Sequence, residues 1–255
     1  MKTIVLLLLF FSYGSNPTVG VTKDHSEFWS FITPHKGSLP RINNTKWAKG
    51  DIDQYILSKI EKNGLSPAQE AAPEILVKRL FYDLIGLPPT FDEVERFRNI
   101  HHGSDYEKLI DYLLERPEFG EKIASLWMNV ARYAEDQAHQ VGNNEKFFYP
   151  YAHKYRNWVI TSFNNDLPYN DFIRLQLAAD QINNVSDKDI VALGFLGLGP
   201  QYYDRGRLEV KAEEWEDSVD VVSRGFMALT VACARCHDHK YDPISAADYH
   251  AFAGV

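Results

Sequence analysis

Along most of this chain apolar residues recur every three or four positions, the period of a helix with one buried face, while the strict alternation of a half-buried strand is scarce. Leu76, Leu80, Phe81 and Leu84 form one such stripe, and Leu109, Tyr112 and Leu113 another. The pattern predicts helices over 51–63, 73–85, 90–99, 104–115, 117–136, 151–165, 168–181, 186–196 and 209–231. A hydroxyl followed three residues later by an acid or amide marks helix starts at Ser66-Pro67-Ala68-Gln69, Thr90-Phe91-Asp92-Glu93, Ser104-Asp105-Tyr106-Glu107 and Ser186-Asp187-Lys188-Asp189. Pro73 and Pro117 stand where a first-turn proline is tolerated.

Between these stripes lie long loops. Gly86-Leu87-Pro88-Pro89 stops one helix and forces a turn. Residues 137–150 are polar and aromatic and carry no period, and Gly194 to Gly206, rich in Gly, Tyr and Pro, reads as a long loop. Residues 21–50, with Trp29, Phe31 and Trp47, read as an extended N-terminal arm pinned by aromatics. The fold class expected is mostly α: a multi-helix globular domain with long aromatic-rich loops. Ser245 starts a further helical pattern through Asp248, Tyr249 and Phe252 that the chain end at Val255 is expected to cut short, as in a truncated product or a piece of a longer chain.

Composition changes this picture little. An apolar content of 45% and a charged content of 24% are ordinary for a globular protein. A net charge of −8 offers no basic face for nucleic acid or anionic lipid. The N-terminus adds more: Lys2, the apolar run Ile4 to Phe11, and small residues at Thr18-Val19-Gly20 form the pattern of a secretory signal peptide over residues 1–20. That run is too short to span a bilayer, and no transmembrane segment is expected. The chain is thus expected to be exported, to a periplasmic or extracellular location.

The two cysteines of the chain sit three apart and a histidine follows at once: Cys233-Ala234-Arg235-Cys236-His237, at the end of the helix expected over 209–231. The spacing suits covalent haem. Each thiol adds to one vinyl group, and the adjacent imidazole binds the iron. Three other readings stay open. A thiol–disulfide oxidoreductase uses the same Cys-x-x-Cys but needs a βαβ setting. A metal site could use Cys233, Cys236, His237 and His239, though four ligands within seven residues strain a tetrahedron. A plain disulfide would suit an exported protein.

From Val231 through His237-Asp238-His239-Lys240-Tyr241-Asp242-Pro243-Ile244 the chain closely resembles the central signature of the large secreted planctomycete-type cytochrome proteins. Ile52-Asp53-Gln54-Tyr55-Ile56-Leu57, Arg79 through Thr90, Trp127 through Glu135 and Tyr155 through Ile160 are similar to that family's other helices, so the resemblance spans residues 27–255. It implies that residues 51–255 are a helical cytochrome C-like domain of unknown function, with covalent haem c, iron, and a redox partner protein. It also implies a downstream domain of the same family and often an upstream cytochrome domain, for which this chain has no second Cys-x-x-Cys-His.

His237 is the expected proximal ligand. For the distal one His139 is favoured, ahead of His153 and His250, while Met227 and His239 lie awkwardly close in sequence. An open distal site is the other possibility. Asp238, Lys240 and Asp242 read either as tuning groups or as a polar turn, and Arg132, Glu135 and Asp136 either as a site or as a solvated helix end. The acidic run Glu209 to Asp220 reads as an exposed face. Tyr202, Tyr203 and Trp215 read as a pocket lining or as packing. The functional expectation is an exported c-type cytochrome-like protein engaged in electron transfer. The alternative is a secreted, non-redox, carbohydrate-associated binding or hydrolytic module that uses carboxylates such as Asp217 and Asp220, its Cys-x-x-Cys serving as disulfide or metal site.

Overall fold

The computed structural model describes residues 28–98, 104–136, 148–199 and 206–254. Among the described residues there are ten α-helices and no strand: α1 (Asp51–Lys62), α2 (Pro73–Leu84), α3 (Phe91–Phe97), α4 (Ser104–Leu114), α5 (Pro117–Val130), α6 (Ala152–Asn164), α7 (Tyr169–Ala178), α8 (Gly194–Gly197), α9 (Leu208–Met227) and α10 (Ala246–Ala253). The fold is therefore the mostly helical, multi-helix domain that the periodicity predicts. The expected signal peptide and His139 lie outside the described residues.

Residues 28–50 carry one short 3-10 turn, Trp29–Phe31, and are held to α1 by carboxylates. Glu61 accepts the backbone N–H groups of Asn43 and Asn44, and Asp53 accepts those of Lys49 and Gly50. The aromatic rings expected to pin this arm stay largely exposed, Trp29 at 80%.

Three apolar clusters organise the rest. The first joins α2 to α4 through Val77, Phe81, Ile85, Leu109 and Leu113. Gly86 closes α2 at φ +74°, its N–H donating to the Phe81 carbonyl, a left-handed cap that glycine adopts freely. Thr90 and Glu93 form the expected capping box of α3. Glu93 also accepts from Tyr112 on α4 and from Arg116, which in turn grips Glu118. Burial alone would raise the Glu93 carboxyl. The hydrogen bonds from Thr90 and Tyr112 and the charge of Arg116 outweigh it and hold the group below the ordinary glutamate range.

The second and largest cluster lies between α5, α6, α7, α8 and α9. α5 and α6 meet at Gly120, where a Cβ would stand 2.5 Å from the Ile160 carbonyl oxygen. The Gly120 N–H donates to Asn164 Oδ1 at 2.8 Å, and Asn164 Nδ2 returns a bond to the Pro117 carbonyl. Trp127, Tyr155, Trp158, Phe172, Phe195 and Phe226 pack ring against ring in this core. Gln176, fully buried, accepts from both Trp127 Nε1 and the Tyr155 hydroxyl. Burial pushes that hydroxyl well above the usual tyrosine range, so it stays a donor. The third cluster packs the C-terminal segment on α9 through Val219, Val231, Ala234, Ile244 and Tyr249.

Several boundaries differ from the sequence expectation. Ser66 caps nothing, because Pro73 holds Ala72 extended and starts the helix itself. The helix expected over 117–136 ends at Val130, since Arg132 adopts φ +53°. The helix expected over 186–196 becomes a turn, a 3-10 segment (Ile190–Leu193) and α8, because Asp189 bonds Trp158 Nε1 rather than capping a helix.

Gly120→Ala is expected to lower stability by about 1–3 kcal/mol through overpacking, read as a drop in the thermal midpoint. Glu93→Gln is expected to cost about 1–3 kcal/mol near neutral pH through its hydrogen-bonded charge. The folded carboxyl titrates below the unfolded one, so this deficit is full above the unfolded value of about 4.3 and vanishes as pH falls through the folded value. Denaturant titrations of both proteins at neutral and acid pH measure it.

Candidate functional site around the cysteine–histidine motif

The motif is not at the end of a helix, as the sequence suggests. α9 stops at Met227, where Ala228 turns left-handed at φ 56° and Leu229 N–H folds back to the Ser223 carbonyl. A separate 3-10 turn, Val231–Ala234, then carries Cys233, and Cys236 and His237 follow it in a loop. Val231 and Ala234 bury themselves in the third cluster and leave the intervening positions outward. Both cysteines are exposed and free.

His237 is exposed, and its Nδ1 lies 2.8 Å from the Asp238 carbonyl oxygen. A carbonyl only accepts, so Nδ1 carries a proton, and in the neutral imidazole Nε2 keeps its lone pair. No hydrogen bond engages Nε2 among the described residues. This tautomer suits a metal-binding imidazole, whose second nitrogen is oriented by a carbonyl.

His239 has the opposite assignment. It is 8% exposed, and its Nδ1 accepts the backbone N–H groups of Tyr241 and Asp242 at 3.2 and 2.8 Å. The proton therefore sits on Nε2, which donates to Thr230 Oγ1 at 3.0 Å. Its own backbone N–H donates to the Ile244 carbonyl. With both nitrogens engaged, His239 is a brace for the loop. Asp238 adds a second brace by accepting from Ala246 N–H at the start of α10. The pattern that begins at Ser245 forms α10, a helix of 8 residues whose start is capped by Ser245 and Asp248.

Arg235, inside the motif, pairs with Glu213 and Glu216 of α9. Asp217 pairs with Arg132 from the end of α5, and Asp220 with Arg224. The acidic run is thus more than an exposed face: one side of it tethers the motif loop and α5. The four carboxylates, Arg224 and Cys233 border a groove of about 370 Å³. The Asp220 hydrogen bond and its charge raise the Arg224 guanidinium above its ordinary range.

Other candidates are scattered. Met227 is half exposed at the end of α9, and His250 is exposed on α10 against the Tyr249 ring. His153 lies on α6, in a different groove. Glu135 pairs with Arg156 and Asp136 bridges to Phe148. Lys240 lies over the Tyr241 ring, and Asp242 lies 3.5 Å from His239 Nδ1. Trp215 is 56% exposed, while Tyr202 and Tyr203 lie outside the described residues.

Among the described residues, no three His, Cys, Asp or Glu side chains converge where a metal ion could sit. A tetrahedral ion needs such convergence. Haem does not need it from Cys233, Cys236 and His237, because the thiols attach at the porphyrin edge and only the imidazole meets the iron. The donor chemistry of the three residues fits covalent haem. No helix among the described residues is long and apolar enough to cross a membrane.

His239→Ala is expected to strip two backbone donors and Thr230 of their partner, at about 2–4 kcal/mol. Hydrogen exchange should show amides 239–244 opening faster while those of α6 hold their protection.

The family model PSCyt2, protein of unknown function (DUF1549), matches residues 51–255. No curated protein and no solved structure matches the chain. Covering all ten helices and the motif, the match establishes that this chain belongs to the PSCyt2 (DUF1549) family.

Proposed function

We propose that this domain is an exported c-type cytochrome-like protein. In this reading Cys233 and Cys236 hold haem through thioether bonds and His237 Nε2 binds the iron. The observation that carries it is the state of the motif: two free, exposed thiols beside an imidazole whose Nδ1 is held by a carbonyl and whose Nε2 is open. When bound, haem supplies one-electron redox chemistry at a potential set by the axial ligands and by burial.

The chain's own groups prepare the motif. Arg235 anchors it to α9, His239 and Asp238 fix the turn that follows, and Val231 and Ala234 hold its base in an apolar cluster. His139 is our proposed distal ligand, on sequence grounds alone. A redox partner protein and a further domain of the same family complete the proposal, as does a periplasmic or extracellular setting for the attachment.

Expression in a host with c-type maturation machinery tests it. The expected result is a haem-staining band on a denaturing gel and a mass increase of one covalent haem, both lost in Cys233→Ala/Cys236→Ala. His237→Ala should retain less haem and shift the Soret band. A colourless wild-type band would overturn the proposal.

A further inference from the structure

α6 has two faces with opposite roles. Tyr155, Trp158, Val159 and Ser162 turn inward and are buried. His153, Asn157, Thr161 and Asn165, each four residues from the last, form a second row on the exposed side. Four residues advance a helix by about 6 Å, so this row is an evenly spaced ladder of hydrogen-bonding groups. It lines a groove of about 640 Å³, within the size range of small-molecule sites.

The opposite wall is the turn 186–189, which the sequence marks as a helix start. The structure uses the same residues differently. Asp189 accepts from Trp158 Nε1 through one carboxylate oxygen and from Ser186 Oγ through the other. The wall is thereby bonded to the core. Trp158, Leu167 and Val191 give the groove an apolar floor.

The ladder side chains of His153, Asn157, Thr161 and Asn165 have no hydrogen-bond partner among the described residues. The ionic groups at the rim cancel: Lys154 and Lys188 face Asp187 and Asp189. A groove without net charge does not select an ion. It offers directional donors and acceptors above an apolar floor, the complement of a ligand with hydroxyls around its edge and C–H groups on its faces.

We propose that this groove binds a neutral sugar of one or two rings, independently of any haem. Asn157, Thr161 and Asn165 would bond its hydroxyls while Leu167 and Val191 support a ring face.

Saturation-transfer NMR on the full chain with glucose, galactose, xylose and cellobiose tests this. At least one sugar is expected to receive saturation. Asn157→Ala, Thr161→Val and Asn165→Ala are exposed changes that leave the core intact, and each should weaken that binding about fivefold, the worth of one hydrogen bond. Asn129→Ala, on α5, should leave it unchanged. Three results would overturn the proposal: no saturation of any of the four sugars, equal binding by the double variant Asn157→Ala/Thr161→Val, or tighter binding of glucuronate or glucose 6-phosphate than of glucose.

Discussion

The close approach of α5 and α6 at Gly120 is the constraint on which the remainder of the domain rests. With no side chain there, two helices come near enough for Asn164 to bond both the Gly120 N–H and the Pro117 carbonyl. That contact fixes which face of α6 is buried. Tyr155 and Trp158 then enter the aromatic core, and Trp127 of α5 reaches Phe226 at the end of α9. α9 in turn carries the carboxylates that hold the motif loop. The rotation of α6 also decides that its polar row lines a groove.

Inside this core the Tyr155 hydroxyl, the Ser162 hydroxyl and the Gln176 amide are all hydrogen-bonded. Gln176 accepts two donors and gives its own amide to the Phe172 carbonyl. A buried amide left with one missing partner would cost about as much as several well-made hydrogen bonds contribute. The Trp127–Tyr155–Gln176 arrangement therefore specifies side-chain positions more sharply than apolar packing alone.

Much of this was legible in the residues. The helices from α1 to α7 follow their apolar stripes, and Gly86 and Thr90 mark boundaries through chemistry that only those residues supply. The motif itself was visible because its two thiols and imidazole are adjacent in sequence. The end of α9 was not visible. It falls on an alanine, a good helix former, and the left-handed turn there is imposed by the packing of the segment that follows. Ser186 and Asp189 carried a real signal, but a tryptophan 31 residues away claimed the carboxylate. The pairing of Arg235 with Glu213 and Glu216, and of Arg132 with Asp217, also depends on tertiary approach that no local pattern encodes.

The motif segment takes its buried contacts from a short stretch of chain. Val219, Val231, Ala234, Ile244 and Tyr249 all fall within a run of 31 residues, and α9 ties that run to the aromatic core through Val221, Val222 and Phe226. A unit built on such local contacts forms quickly and opens at less than the global unfolding free energy. Both thiols are already exposed in the folded chain, so their covalent modification need not compete with the folding of the rest.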